Sequence, residues 1–333
     1  MVLYMMRTQN AGELAGFSRN YDLIRTVMLG HAVGDALGVP VEFRSRSVLD
    51  GDPVTDMRGY GTYPYPAGTW SDDTSMSLCA LEAMGDPEFS YERVMENFAG
   101  WLLNNRFTAT GECFDVGGTC LRAIKNYSVH KLPPHKCGLR DECSNGNGSL
   151  MRIHPFALYA YVKEMDFDGE DGWGVWISRG SALTHAHDRA ALGCLIYAFV
   201  LMGILSNPTK EGVRAGIRQA GERLSAYPEF EAYQRIFASD FEALPRDEIS
   251  GSGYVVDTLE AALWCLLTTD SYRACVLKAV NLGEDTDTVG AVAGGLAAAL
   301  YGAAAIPTEW LDTLQGSDEI TALCRAAAER WSM

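Results

Sequence analysis

Two short segments of this chain concentrate carboxylates and hydroxyls. The first contains Ser71, Asp72 and Asp73, where a loop rich in Gly and Pro gives way to a helix predicted to begin around Thr74. Oxygen side chains of this kind are the ligands that hard divalent cations prefer. Ser and Asp also commonly accept amide hydrogen bonds at helix starts, so helix capping is an equally good interpretation of this cluster alone.

The second segment runs from Gly283 to Thr288 and precedes an apolar helix predicted from near Val289. It offers Asp285, Asp287 and Thr288, more oxygen side chains than one helix cap needs. Two such clusters, both at helix starts, favour a shared metal centre over two independent caps. The all-oxygen set favours Mg²⁺ or Mn²⁺ over zinc or copper. Bridging carboxylates could hold two ions, which orient a substrate and lower the pKa of a bound water.

The elements that must position these clusters are helices. Apolar residues recur at helical spacing in several segments, and no run of two-residue alternation competes with them. The pattern predicts an all-α protein with packed helices and long connections over residues 59–69, 127–147 and 225–253. Such loops are common sites of substrate contact. No repeat or linker divides the chain, so we predict a single domain over residues 1–333, with its core at about 20–330 and residues 1–19 as an N-terminal extension.

Charge and hydropathy restrict the classes of partner. The chain has 27 Lys and Arg against 43 Asp and Glu, giving a net charge of −16, and no basic cluster compensates. Electrostatic binding to nucleic acid or to an anionic membrane is therefore not expected.

The first 20 residues lack the basic-then-apolar order of a secretory signal, which predicts a cytoplasmic protein. The apolar run 190–205 falls short of the roughly 20 residues that span a bilayer, and we predict a buried helix there.

The nine cysteines are scattered, and several lie within helical apolar patterns. Reduced thiols in the core fit this distribution better than a disulfide framework. His135, Cys137 and Cys143 lie close together in sequence but lack a CxxC pair, so we interpret them as loop residues rather than zinc ligands.

Five motifs follow one another over most of the chain. They are Gly30–Glu42, Trp70–Thr74, Asn145–Arg152, Thr184–His185 and Gly283–Thr288. Together they resemble the ordered motifs of the ADP-ribosylglycohydrolase family, and their order makes the resemblance far more specific than any one motif. A further segment, Phe114–Thr119, resembles the arginine-directed branch of that family.

The resemblance implies an all-α orthogonal bundle with long loops around a cleft that holds two Mg²⁺ or Mn²⁺ ions. The implied activity is hydrolysis of the bond between ADP-ribose and a protein side chain, with arginine as the preferred acceptor. An ADP-ribosylated protein would be the substrate and ADP-ribose a product. The implied metal ligands are Ser71, Asp72, Asp73, Asp285, Asp287 and Thr288, with Ser71 where many relatives have Thr.

Three further carboxylates match family positions or adjoin them. Glu42 corresponds to a glutamate near the metals and substrate, although it could be an exposed charge after a turn at Pro40. Asp115 is the candidate that activates water or holds the departing guanidinium; the alternative is a helix cap before Gly117. A general base must lie within hydrogen-bond reach of its proton. Asp35 either supports the site through hydrogen bonds or holds the end of its own helix.

The substrate-binding candidates are Asn147, Gly148, Ser149 and His185. By resemblance, residues 147–149 form a turn whose backbone amides face the diphosphate, which allows an acidic protein to bind an anion. His185 matches a position close to the ribose or phosphate. Arg152 either braces this loop by pairing with a carboxylate or contacts phosphate.

Several other side chains have open interpretations. His187 lacks a family counterpart, and we interpret it as structural. Four aromatic residues either stack on adenine or pack on each other in a Pro-rich loop; they are Tyr60, Tyr63, Tyr65 and Trp70.

Alternative functions remain open at this level. The acceptor could be serine, O-acetyl-ADP-ribose or a nucleic acid, and the protein could be a non-catalytic ADP-ribose-binding or structural member of the same fold. An isoprenoid synthase also uses two Asp-rich segments on helices, but neither segment here has the DDxxD pattern.

Overall fold

The computed structural model of the protein describes residues 2–86 and 89–332, with side chains described from residue 16 onward. It confirms the all-α class, and within the described residues extended pairing is limited to the isolated bridges Leu139–His185 and Gly146–Tyr254. Residues 2–19, predicted as an extension, form the start of the first helix. The helices are α1 (Val2–Gly38), α2 (Arg46–Gly51), α3 (Asp72–Met84), α4 (Tyr91–Asn104), α5 (Gly118–Ser128), α6 (His154–Val162), α7 (Trp173–Ala182), α8 (Asp188–Ser206), α9 (Lys210–Leu224), α10 (Val255–Leu267), α11 (Tyr272–Val280), α12 (Thr286–Tyr301), α13 (Thr308–Thr313) and α14 (Ser317–Trp331).

The helices α3 and α12, which carry the two acidic clusters, begin earlier than the apolar pattern indicates. Helix α3 starts at Asp72, and α12 starts at Thr286. Their first turns consist of polar residues, which contribute nothing to apolar periodicity. The consequence is that both clusters lie at or within the first turn of a helix rather than in the preceding loops.

Helices α1 and α12 pack in close backbone contact at the centre of the protein. A methyl group placed on Gly34 would lie 2.1 Å from the carbonyl oxygen of Gly290, and one on Gly38 would lie 2.3 Å from the backbone of Asp287. Such distances exclude any side chain larger than hydrogen. The glycines therefore allow the end of α1 to approach the acidic start of α12.

We expect Gly34→Ala to lower the free energy of unfolding by about 3 kcal/mol or more, because the backbone of α12 cannot yield to the added methyl group. Gly16→Ala is the matched control, since Gly16 lies in the same helix and no described atom is within 4 Å of its added methyl. In Gly16→Ala the better helix propensity of alanine should raise the free energy of unfolding by up to about 1 kcal/mol. Urea unfolding of both variants checks the opposite signs. Equal effects would contradict the close packing.

Helix α8 confirms the predicted buried helix. It is long and apolar enough by composition to cross a membrane, but 67% of its most apolar stretch is buried inside the protein. It packs against α6, α7, α9 and α12. Its apolar character is thus accounted for by its place in the core.

The structure also shows the state of the cysteines and the local structure of one of the long loops. All nine cysteines are free, as predicted. The Cys137 thiol is buried, with its Sγ 3.5 Å from the Leu132 carbonyl oxygen and 3.4 Å from that of Pro133, so that either can accept its single proton, whereas Cys143 is exposed. The loop predicted over residues 225–253 contains the short 3₁₀ helices Phe230–Phe237, Phe241–Ala243 and Arg246–Glu248.

Candidate active site

The two acidic clusters meet in a cleft of about 270 Å³. Its walls come from the segment after α1, from the starts of α3 and α12, and from the loops before α5 and α6. Carboxylate oxygens of Glu42, Asp115 and Asp287 all lie within 4.8 Å of one another. Asp72, Asp285 and Thr288 line the same cleft. The structure thus brings together residues as far apart in sequence as Glu42 and Thr288, which are separated by 246 positions.

Asp35 holds the start of α3 in place. Its Oδ1 accepts a hydrogen bond from the Ser71 amide at 2.9 Å, and its Oδ2 accepts from the amide and hydroxyl of Thr74 at 3.0 and 2.6 Å. Asp35 is fully buried on α1. Because its oxygens accept hydrogen bonds from the start of α3, it caps a neighbouring helix rather than its own. These contacts favour the first of the two interpretations of Asp35, a supporting role beneath the site.

Hydrogen bonds also join the two clusters to each other. The Thr288 hydroxyl donates to Asp73 Oδ2 at 3.2 Å, and the Ser71 hydroxyl approaches the same oxygen at 3.3 Å. On the other side, Asn147 Nδ2 donates to Asp285 Oδ2 at 3.0 Å. The Oδ2 atoms of Asp73 and Asp285 are therefore each fixed by neutral donors.

Asp115 is held in an unusual backbone conformation. Its φ is +54°, in the left-handed region that aspartate tolerates better than most residues. The hydroxyl of Tyr63 donates to Asp115 Oδ1 at 2.8 Å, and the Tyr63 ring packs on Phe114 with centroids 4.9 Å apart. From sequence, Tyr63 was only one of four candidate aromatic residues. No spacing rule could have paired it with Asp115, because both lie in irregular loops.

Three oxygen atoms of the cluster are buried without any hydrogen-bond partner: Glu42 Oε2, Asp73 Oδ1 and Asp287 Oδ2. The ion pairs among the described residues include none of the site carboxylates. Buried charges without partners are costly, and buried carboxylates are otherwise paired or coordinate metals. The orphaned oxygens and the all-oxygen donor set therefore fit hard divalent cations.

Burial and mutual repulsion raise the pKa values of these acids. The pKa of Glu42 rises to about 9, mainly through burial and then through the charge of Asp115. Burial also raises the pKa of Asp35 to about 7. The pKa values of Asp72, Asp73 and Asp287 lie well above the usual range for the same two causes. Without a cation the cluster retains protons, and a bound cation would displace them.

The same cleft is lined by three of the four substrate-binding candidates. Asn147, Gly148 and His185 all line it. A methyl group on Gly148 would lie 2.9 Å from His185 Cε1, so glycine is needed for this close packing. Burial lowers the pKa of His185 to about 3, which keeps its ring neutral. Its Nδ1 lies 2.9 Å from the Thr184 hydroxyl.

Other candidates lie elsewhere. The Ser149 side chain points into the core, where its hydroxyl accepts from Ser181 at 2.9 Å, so only its backbone could serve a ligand. Arg152 is fully buried and donates to the Gly180 carbonyl at 3.1 Å and to the Thr184 hydroxyl at 2.6 Å. It braces the loop, but the predicted carboxylate partner was wrong.

The remaining side chains with open interpretations also have defined contacts. Trp70 is buried and donates to the Gln315 carbonyl at 2.7 Å, so the suggestion that it stacks on adenine was wrong. Tyr65 packs on Phe114, which lies outside the Pro-rich loop, with centroids 4.6 Å apart, and Tyr60 is exposed. His187 caps α8 by accepting from the Arg189 amide at 3.1 Å. Its structural role is therefore visible.

Comparison with known proteins gives a consistent result. The ADP-ribosylglycohydrolase family matches residues 18–333. ADP-ribosylarginine hydrolase Tri1 of Pseudomonas putida (strain GB-1) is 33% identical over 310 residues, covering 93% of this chain and 78% of the relative. ADP-ribosyl-[dinitrogen reductase] glycohydrolase of Rhodospirillum rubrum is 30% identical over 302 residues, covering 88% of this chain and 90% of the relative.

A solved structure agrees with these sequence matches. It is described as an ADP-ribosylglycohydrolase-related protein complex and superposes with a TM-score of 0.76 at 33% identity, covering 94% of this chain and 99% of the other. Sequence and fold thus match the same family over nearly the whole chain. The chain belongs to the ADP-ribosylglycohydrolase family.

Proposed function

We propose that this protein is a hydrolase that removes ADP-ribose from ADP-ribosylated arginine side chains of proteins. The observation that carries the proposal is the position of Asp115 beside Glu42 and Asp287, with carboxylate oxygens within 4.8 Å of one another. A positively charged guanidinium is the protein side chain that best complements such a group, because it can donate paired hydrogen bonds to carboxylates. The two relatives described above carry names for activities of the same class.

We further propose two divalent cations, Mg²⁺ or Mn²⁺, as cofactors. The buried oxygens of Asp73 and Asp287 that lack partners support this proposal. When bound, such ions supply charge stabilisation on oxygen and lower the pKa of water. The ligands would be Ser71, Asp72, Asp73, Asp285, Asp287 and Thr288.

The reaction requires the anomeric carbon of ribose to exchange a nitrogen for a water oxygen. The bond from carbon to the guanidinium nitrogen breaks, one water proton passes to a carboxylate, and the arginine nitrogen regains a proton. Asp115 is suited to hold the guanidinium, since it lines the cleft and the Tyr63 hydroxyl fixes the orientation of its carboxylate. Positive charge developing on the ribose ring is stabilised by the surrounding carboxylates. Asn147 and Gly148 contribute to the wall that binds the rest of ADP-ribose.

The test is release of free ADP-ribose from arginine-modified and serine-modified protein, with Mg²⁺, with Mn²⁺ and after chelation. We expect release from arginine that chelation abolishes. Cleavage of serine but not arginine would leave the metal proposal intact and refute the assignment of Asp115. Binding of ADP-ribose without any cleavage would identify a non-catalytic member of the family.

We expect Tyr63→Phe to lower kcat/KM for arginine-linked ADP-ribose by about ten- to a hundredfold, because a hydrogen bond to a charged group is worth about 1.5–3 kcal/mol. Affinity for free ADP-ribose should not change. Tyr65→Phe is the matched control, since Tyr65 packs on the same Phe114 ring but its hydroxyl donates to the exposed Glu112. The measurement is kcat/KM of both variants for arginine-linked ADP-ribose, from steady-state kinetics. Equal losses would show that the hydroxyl of Tyr63 has no special role.

A further inference from the structure

Phe43 has a large apolar side chain that is exposed to solvent at the cleft. Its side chain is 70% exposed, although Glu42, the preceding residue, is buried. It lines the cleft together with Glu42 and Asp115. Among the described residues that line this cleft, Phe43 supplies the only phenyl ring. Because the ring lines a cleft rather than the open surface, and aromatic side chains commonly line ligand sites, it is available for contact with a ligand.

The backbone of Phe43 is held in a conformation that bulky residues rarely adopt. Its φ is +63°, in the left-handed region. The Phe43 amide donates to the Glu284 carbonyl at 2.7 Å, and the Glu284 amide donates to the Arg44 carbonyl at 2.8 Å. Glu284 itself has a φ of +66° and directly precedes Asp285. Strain of this kind persists where the surrounding structure enforces it, and it clusters at functional sites.

These hydrogen bonds link the position of the Phe43 ring to the second acidic cluster. The backbone of Phe43 is hydrogen-bonded to the loop that carries Asp285, and the carboxylates of Glu42 and Asp115 lie in the same cleft. A guanidinium group presents two kinds of surface. Its edges donate hydrogen bonds to carboxylates, and its flat face stacks on aromatic rings. The cleft contains a candidate partner for each of these surfaces.

We propose that Phe43 is a specificity-determining residue, whose ring stacks on the guanidinium plane of the modified arginine and favours arginine over serine conjugates. A serine-linked substrate has neither a planar group nor a positive charge at this position, so it gains nothing from the ring. This inference rests on the proposed function, because it assumes that arginine conjugates are cleaved. It assigns the discrimination between acceptors to a residue outside the acidic cluster.

The test compares Phe43→Leu, which keeps an apolar side chain without a ring, with Phe43→Trp, which keeps a ring. The substrate is ADP-ribosyl-agmatine, a small guanidinium conjugate that removes any contribution from protein docking. We expect Phe43→Leu to lower kcat/KM by about tenfold, the effect of losing a partly desolvated cation–π contact, and Phe43→Trp to retain activity. The affinity for free ADP-ribose and any cleavage of serine conjugates should stay unchanged in both variants.

Tyr60→Leu is the matched control, because Tyr60 is 74% exposed with a φ of +56° but does not line the cleft. It should leave every parameter unchanged. Full agmatine activity in Phe43→Leu would overturn the inference, and so would a parallel loss of ADP-ribose affinity, since free ADP-ribose carries no guanidinium. If the wild-type protein fails to cleave the agmatine conjugate, the proposed function fails first and this inference falls with it.

Discussion

Asp287→Asn is expected to lower kcat for ADP-ribose release by about a thousandfold or more, because a divalent cation supplies several kcal/mol of charge stabilisation that a neutral amide cannot anchor. Asp287 is fully buried, and its Oδ2 has no hydrogen-bond partner among the described residues. Its Oδ1 accepts from the Thr288 amide at 2.9 Å, a bond that asparagine can keep. The substitution therefore removes charge with little change in shape.

The measurement is steady-state release of ADP-ribose from arginine-modified protein at saturating Mg²⁺ or Mn²⁺. Asp312→Asn is the control, since Asp312 is exposed and should tolerate the same chemical change without effect. A variant that retains a tenth of wild-type activity would rule out a central role for Asp287 in holding a cation.

The second large effect concerns stability. We expect divalent cations to raise the free energy of unfolding by about 4 kcal/mol at a concentration a thousand times the dissociation constant, because they bind only the folded cluster. In metal-free protein Asp287→Asn should instead be stabilising, since burial and the charge of Glu42 raise the pKa of Asp287 and disfavour its ionised form. The same substitution should abolish most of the gain from metal. Urea unfolding of the wild-type protein and of Asp287→Asn, with chelator and with Mg²⁺, measures the gain expected without metal and the loss expected with it.

The pH dependence of the metal-free protein follows from the same acids. The pKa of Glu42 rises from its ordinary value of 4.5 to about 9 in the folded protein, so the folded state binds more protons than the unfolded state between these values. This contribution to stability is fully present below pH 4.5 and is lost as the pH rises toward about 9. Saturating Mg²⁺ should weaken this dependence, because a bound cation favours the ionised carboxylate. A metal-free protein that gains stability across this range would contradict the structure of the cluster.

The sequence was informative about the fold class and the acidic clusters for a physical reason. Helical periodicity reports which face of each segment is buried, and hydroxyl and carboxylate residues at helix starts stand out against it. The helix starts themselves were misplaced, since the first turn of α3 is polar. The burial of Arg152 among carbonyls was also missed, because an arginine in a motif is more readily assigned to an anion.

Contacts between loops were beyond prediction. Tyr63 reaches Asp115 across 52 residues, and Phe43 is set by a hydrogen bond to Glu284. Neither contact leaves a periodic signal, and a left-handed backbone at phenylalanine has no sequence signature of the kind that glycine gives. These residues were found only when the loops were placed beside one another.

The close contact between Gly34 and Gly290 has a consequence for how this protein tolerates change. The backbones of α1 and α12 touch directly, so the spacing between Asp35, which anchors the first cluster, and Asp287 does not depend on the volume of intervening side chains. Apolar residues elsewhere in the core can therefore be exchanged without altering the distance between the two clusters. The apolar core can therefore accept substitutions, whereas the distance between the two clusters depends on a few glycines that cannot be replaced.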